Sequence, residues 1–238
     1  TPSSLQRIGG IAQFILHTAP PPNRGPRDTR TRHLTCALNK SKILPQRVVY
    51  ISTSGVYGDC HGASIDETRR LNAQTPRAQR RVDAEQCLRI WSMDNGIALS
   101  ILRAPGIYAA ERLPLERLQK RTPVLIQSED VYTNHIHADD LARACVAALF
   151  HAKPQRAYNI CDGDNKKMGD YFDLVADAFG LSRPPRVSRA EAERLIAEPG
   201  LSFMRESRQL QNRRMVEELR LILNYPSVEF LLKRLKQA

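Results

Sequence analysis

The chain has 238 residues, 42% of them hydrophobic, and a formal net charge of +11. That length can bury a full core as one large domain or two small ones, and no apolar run approaches the roughly 20 residues needed to cross a bilayer. The charge is arginine dispersed along the chain (Arg24, Arg27, Arg30 and Arg32 near the start) with no helix-turn-helix, zinc-finger or RNA-recognition pattern, which argues against nucleic acid and leaves a solvated basic surface or attraction for an anionic small molecule.

The opening segment TPSSLQRIGG has neither a basic n-region nor an apolar h-region, so it does not read as a signal peptide. It has no initiator Met, and the chain is expected to be processed or to begin inside a longer parent. IAQFILHTA (11–19) predicts a short buried strand, broken by PPPNRGPR, and a helix is expected over 28–42. RVVYIS (47–52) is a continuous apolar run ending in the small hydroxyl residues of STSGVYG, as a buried parallel strand does when its C-terminal end opens into a ligand site. A loop through Asn72 leads to a helix over 76–93, with Pro76 in its first turn and Val82, Ala84, Cys87, Leu88 and Trp91 at helical spacing. GIALSILRAPGIY (96–108) predicts the next strand, closed by Pro105-Gly106. Strand, helix, strand, helix, strand with continuous apolar runs means an α/β fold with a parallel, doubly wound sheet covered on both faces.

After Tyr108 the rhythm changes. LPLERLQK predicts a short helix, TPVLI a short strand, HADDLARACVAALFHA a strong helix with acidic first turn, and RAYNICDG a strand. KMGDYFDLVADAFGL and SRAEAERLIAE predict amphipathic helices, and FMRESRQLQNRRMVEELRLIL a polar, Arg-rich helical segment. The expected organisation is a sheet domain over 1–108, joined by 138–162, and a smaller, mostly helical cap over 109–137 and 163–238. The five cysteines, Cys36, Cys60, Cys87, Cys145 and Cys161, form no C-x-x-C pair and predict free thiols in a reducing cytoplasm, without a zinc site.

HTAPPP (17–22), STSGVYG (52–58) and LRAPGIY (102–108), followed by NHIHADDLARA (134–144), resemble in order and spacing the extended short-chain dehydrogenase/reductase group, the NAD-dependent epimerase/dehydratase family acting mostly on nucleotide sugars. STSGVYGDCHGASIDE followed by RAQRRVDAE is similar to an atypical bacterial branch of that group. The resemblance implies a Rossmann-like sheet, NAD or NADP as cofactor, a nucleotide-sugar or related substrate, and a homodimer through the helices at 28–42 and 76–93. It implies that Thr18, Ala19 and Pro20 line the dinucleotide together with Ser52, that Ala104, Pro105 and Gly106 lie near the nicotinamide, and that Thr53 bonds the reacting sugar oxygen. Ser54 and Gly55 would face substrate where family dehydratases carry acidic residues, which argues against dehydration. Asn134, His135 and Asp140 would fall at the link between sheet and cap.

Two departures stand out. The family uses a Tyr as acid/base and a Lys four residues later, on one helix face; here those positions are Arg77 and Arg81. Guanidinium stays protonated, so Arg77 cannot be a general base, whereas Arg81 can hold a ribose hydroxyl or phosphate. Tyr57 and Tyr108 are then the nearby phenols left to nominate. Second, no G-x-G-x-x-G spacing occurs among the twelve glycines. A full family member is expected to carry about 60 residues more before Gln13. Their absence would leave an apolar strand edge and a marginally stable chain.

Blander readings stand beside these. Arg77, Arg80 and Arg81 also fit a solvated helix face, and His135 and His137 fit core or loop positions rather than a metal site. Asp139 and Asp140 fit a helix cap, Glu67 a structural carboxylate, and RQLQNRR (208–214) either a surface helix or a contact to a substrate phosphate. The expected function is an NAD(P)-binding, epimerase/dehydratase-like oxidoreductase; the rival is a non-catalytic NAD(P)H-binding sensor or interaction module.

Overall fold

The computed structural model describes residue 5 and residues 8–198 and 200–237, so the first residues of the expected 1–108 unit lie outside the described part. Along the chain come β1 (Phe14–His17), α1 (Thr29–Leu38), β2 (Arg47–Thr53), β3 (Ser64–Ile65), α2 (Pro76–Asp94), β4 (Ala98–Ala104) and β5 (Gly106–Tyr108). Next are α3 (Leu115–Gln119), β6 (Val124–Leu125), β7 (Tyr132–Thr133), β8 (His135–His137), α4 (Ala138–His151) and β9 (Arg156–Asn159). The remainder is β10 (Lys166–Lys167), α5 (Met168–Ala178), β11 (Arg186–Val187), α6 (Arg189–Leu195), α7 (Gly200–Phe203), β12 (Gln209–Leu210), α8 (Arg213–Glu218) and α9 (Val228–Leu235). Short 3-10 turns follow β2 (Ser54–Tyr57) and β5 (Ala110–Arg112).

The main sheet is parallel, in the order β1-β2-β4-β9. Period-two alternation along β2 sends Val48 and Tyr50 to one face, where Leu34 and Leu38 of α1 and Ala84, Leu88 and Trp91 of α2 cover them. Val49 and Leu102 face the other way, against Leu141, Ala144, Cys145 and Ala148 of α4. Each leucine buried in this way stabilises by roughly 1.5–3 kcal/mol. The doubly wound sheet is therefore as the apolar runs predict. A separate core (Leu118, Val124, Leu125, Phe172, Val175, Leu231) holds the C-terminal elements together.

Helix starts follow local chemistry. The Asp28 carboxylate accepts from the Arg30 and Thr31 amides, so Asp28 caps α1 rather than belonging to it, and the helix stops at Leu38, short of Lys42. Thr75 caps α2 by accepting from the Ala78 amide, with Pro76 at the first helical position.

The strand expected to close at Pro105-Gly106 does end there, at Ala104, because proline has no N–H for the ladder, and Gly106–Tyr108 leaves the sheet to pair with His135–His137. Two expectations needed correction. The helical segment expected over 203–223 is instead α7, β12 and the short α8. Gln209 and Leu210 pair with Ser64 and Ile65, and the Asn134 side chain donates to the Arg208 carbonyl and accepts from the Leu210 amide. Tertiary pairing overrides a weak local helix preference there. The first strand covers only 14–17, not 11–19.

The two edges of the sheet differ. At β9, Glu67 Oε1 accepts from the Asn159 amide and Arg214 donates to the Ala157 carbonyl, so the edge is occupied. At β1 the outer edge has no strand partner among the described residues, and Phe14 and Leu16 remain 41% and 40% exposed.

Gly58, just past the turn after β2, has φ +64°, and a Cβ there would run into the Asn72 carbonyl oxygen. Gly96, after α2, has φ +66° with open space around it. Gly58→Ala should therefore destabilise by about 2–4 kcal/mol and Gly96→Ala by about 1 kcal/mol. Urea midpoints at unchanged m-value give the comparison; equal losses would contradict the packing described.

Candidate functional site

The parallel strands deliver Thr53 and Ala104 to one level, since these residues are paired in register at the ends of β2 and β4. Beyond them the 3-10 turn packs on the start of α2: a Cβ on Gly55 would lie 3.7 Å from that of Ala78. Arg77 and Arg81, one helical turn apart, share a face. Arg81 Nη1 donates to the Ile51 carbonyl at 2.6 Å and to the Tyr50 hydroxyl at 3.0 Å. This fixes the guanidinium beside the C-terminal end of β2. Arg77 lies with its guanidinium carbon 4.0 Å from the centre of the Phe203 ring.

A cavity of about 370 Å³ opens here, between the strand ends and the C-terminal cap. The sheet side supplies Thr53, Ser54 and Gly55, with Arg77 from α2 and Pro105 and Gly106 from the break after β4. The cap side supplies Arg112, Tyr132, Thr133, Asn134, Phe203, Glu206 and Arg208. Glu206 pairs with Arg208 at 2.8 Å, and Arg208 also donates to the Gly58 carbonyl. Burial lowers the Arg77 pKa, opposed by the field of Glu206, and the group stays a cation at neutral pH.

Behind the strand ends sits a buried ion pair. Arg103 donates from Nε to Glu85 Oε1 at 3.2 Å and from Nη2 to Oε2 at 2.8 Å. The Ser52 hydroxyl donates to the same carboxylate at 2.6 Å, and Arg103 Nη1 donates to the Tyr57 hydroxyl, which donates on to Asn159 Oδ1.

The cavity thus brings together Thr53, Ser54, Gly55, Arg77, Pro105, Gly106 and Asn134 of the expected site residues. Asn134 acts through its clamp on the 208–210 backbone. Thr18, Ala19 and Pro20 are exposed beyond the end of β1, next to the start of α1 but outside the cavity. Ser52 and Ala104 are buried at the strand ends. Tyr57 is buried with its hydroxyl committed to Arg103 and Asn159, and burial pushes its pKa up to about 12. Tyr108 is also buried, donating to the Tyr225 carbonyl. Neither phenol lines the cavity. Asp140 is fully buried and accepts from the amides of Asn224 and Tyr225 and from Arg143, so it joins α4 to the segment before α9. His135 is buried against Tyr171, ring centres 4.3 Å apart. Phe203, Glu206 and Tyr132 carried no signal in the sequence, since they converge from the cap only through tertiary pairing. Arg208 belongs to the RQLQNRR run whose contact with a substrate was one of its two readings.

Known proteins resemble this chain in sequence and in fold. The sequence profile described as the NAD dependent epimerase/dehydratase family matches residues 30–161, more than half of the chain. GDP-6-deoxy-D-mannose reductase of Pseudomonas aeruginosa is 24% identical over 78% of this chain and 71% of its own length. A putative UDP-glucose 4-epimerase of Methanocaldococcus jannaschii is 21% identical over 57% of this chain and 48% of its own length. Among solved structures, a functionally unknown conserved protein from Silicibacter pomeroyi DSS superposes with a TM-score of 0.77 at 27% identity, over 94% of this chain and 77% of that one. RMD from Pseudomonas aeruginosa, complexed with NADPH, superposes with a TM-score of 0.74 at 16% identity, over 100% of this chain and 86% of that one, a likeness of fold.

At the sheet–cap link two buried groups oppose each other in their pH response. Burial pushes the Asp162 carboxyl up to about 8, its Oδ2 lacking a hydrogen-bond partner among the described residues, and pushes the His135 imidazole down from 6.5 to about 4. The Asp162 amide donates to the His135 carbonyl, so the two are neighbours. The folded state favours protonated Asp162, a contribution lost as pH rises through 8, and neutral His135, a contribution lost as pH falls from 6.5 towards 4. Relative to the parent chain, Asp162→Asn should lose stability as pH falls from 8 to 4, and His135→Asn should gain it below 6.5. Denaturation midpoints across that range provide the readout; relative slopes of the same sign would refute the assignment.

Proposed function

Because the chain belongs to the NAD dependent epimerase/dehydratase family, we propose that it serves an NAD(P)-linked oxidoreductase acting on a nucleotide sugar or related hydroxyl-bearing metabolite. The observation that carries this reading is the convergence of Thr53, Arg77 and Arg81 on the C-terminal ends of β2 and β4, where open parallel sheets place their ligands. The residues present fit the nicotinamide–ribose half of a dinucleotide. Ala104, Pro105 and Gly106 offer a small, flat wall, Thr18, Ala19 and Pro20 stay open at the end of β1, and Arg81 is a fixed cation beside the β2 end. When bound, such a group supplies the hydride acceptor or donor.

In this reading Thr53 orients the reacting hydroxyl, Ser54 and Gly55 border the substrate, and Asn134 holds the cap backbone in place. Arg77 cannot take the proton. Tyr132 and Glu206, the latter paired with Arg208, are the other ionisable acids lining the cavity. The division into a sheet domain (1–108 with 138–162) and a cap is supported by the separate apolar core of the C-terminal elements. Ile90 and Met93, exposed on α2, support a homodimer surface, and the five free cysteines fit a reducing cytoplasm.

The arginine at position 77 favours one rival, a protein that binds the dinucleotide without turning it over. Titration with NADH and with NADPH, followed by nicotinamide fluorescence, tests the shared claim. Arg81→Ala should weaken binding about tenfold, or about 1.4 kcal/mol; unchanged affinity would refute the cofactor role of Arg81. Binding without any change at the nicotinamide absorbance band across a substrate panel would favour the sensor.

A further inference from the structure

Two residues on opposite walls of the cavity touch each other. Arg77 comes from the first turn of α2 on the sheet side, and Phe203 ends α7 on the cap side. The Arg77 guanidinium carbon lies 4.0 Å from the centre of the Phe203 ring, so the contact bridges the space between the walls. Both side chains are also exposed to solvent, Phe203 to 49%, which places the bridge at the rim of the cavity and not on its floor. One side of it faces the ligand space and the other faces water.

The backbone beneath the bridge is fixed on both flanks. Leu201 and Met204, flanking Phe203, are buried in the cap core, and Arg189 donates to the Met204 carbonyl at 2.7 Å. From Ser207 onward the chain is fastened to the sheet side: the Ser207 carbonyl accepts from the Cys60 and Gly62 amides, and the Ser207 amide donates to Asp59 Oδ1. The two bridging side chains are held far more lightly. Arg77 has no ion-pair partner among the described residues, although the fields of Glu206 and Glu198 draw its charge towards the cap. At an exposed site a guanidinium on an aromatic face favours contact by roughly two- to fivefold, enough to keep it mostly made and little enough to let it break.

Resting on the reading that this cavity receives the ligand, we propose that Arg77 and Phe203 form its gate, shut by the ring on the guanidinium. Rotation of the two side chains opens it without movement of the cap, and the open fraction sets how fast small molecules and water reach Thr53. Arginine at position 77 then has a part that needs no proton transfer: it keeps water from the strand ends while the gate is shut.

The test is alkylation of a thiol on the cavity wall, Thr53→Cys in the full chain, by N-ethylmaleimide, a flat ring of about nicotinamide size. Peptide mass mapping reads the new thiol separately from the five native cysteines. Phe203→Ala and Arg77→Gln should each speed its modification about three- to sixfold, as expected when a contact favoured two- to fivefold is lost. Combining them should add nothing further, since either change alone breaks the contact. Phe203→Trp keeps a ring for the cation and should stay within about twofold of the parent. Equal rates in the parent and both single variants would overturn the proposal, as would a double variant whose effect is the product of the singles. Faster modification of buried Cys145 in the same variants would mark general loosening and overturn it too. Failure of the parent chain to bind NADPH would remove the NAD(P)-linked reading and leave these rates to judge the gate, whereas NADPH binding with unaltered alkylation removes the gate alone.

Discussion

Three elements that never touch in sequence meet on one buried carboxylate. Glu85 and Arg103 are 1% and 3% exposed, and their paired hydrogen bonds tie the middle of α2 to the end of β4. Ser52 brings the end of β2 to the same carboxylate, and Tyr57 extends the network to Asn159 on β9. A buried ion pair contributes little net stability when whole, because desolvation offsets most of the attraction; breaking it by removing one partner costs about 3–5 kcal/mol. Its effect is on geometry. With β2, β4, β9 and α2 locked in one register, Thr53, Ala104 and Arg77 can come to a common level at the mouth of the sheet.

That locked floor explains why the site above it can tolerate unbalanced charge. Among the described residues neither Arg77 nor Arg112, both on the cavity wall, has an ion-pair partner. Here Arg77 stands on a helix anchored by Glu85, and Arg208 is held by the Gly58 carbonyl and by Glu206. The backbone on either side of Arg208 is fixed by Asn134. Positive charge held on a rigid frame is pre-organised for an anion.

Much of this was legible in the sequence, for reasons that can be named. Continuous apolar runs at 47–52 and 96–104 can only be strands buried on both faces, and Pro76 with Thr75 before it marks where α2 begins. That Arg77 and Arg81 share a face was visible because residues at i and i+4 of a helix lie one turn apart. What was not legible depends on contacts between distant segments. The RQLQNRR run has helical composition, yet Leu210 pairs with Ile65 and donates its amide hydrogen bond to Asn134 Oδ1, and no local pattern announces that. Tyr57 stood out in the sequence as a phenol near the strand end; its commitment to Arg103 and Asn159 is set by residues 46 and 102 positions away. Phe203 and Glu206 reach the cavity for the same reason.

The central claim is that the ends of β2 and β4, with Arg81 beside them, receive the nicotinamide–ribose half of a dinucleotide. A crystal structure of the chain grown with NADPH tests it most directly. The account places the nicotinamide against Ala104, Pro105 and Gly106, with a ribose oxygen within hydrogen-bond reach of Arg81. A dinucleotide bound elsewhere on the chain, or with its nicotinamide turned away from Thr53, would contradict it.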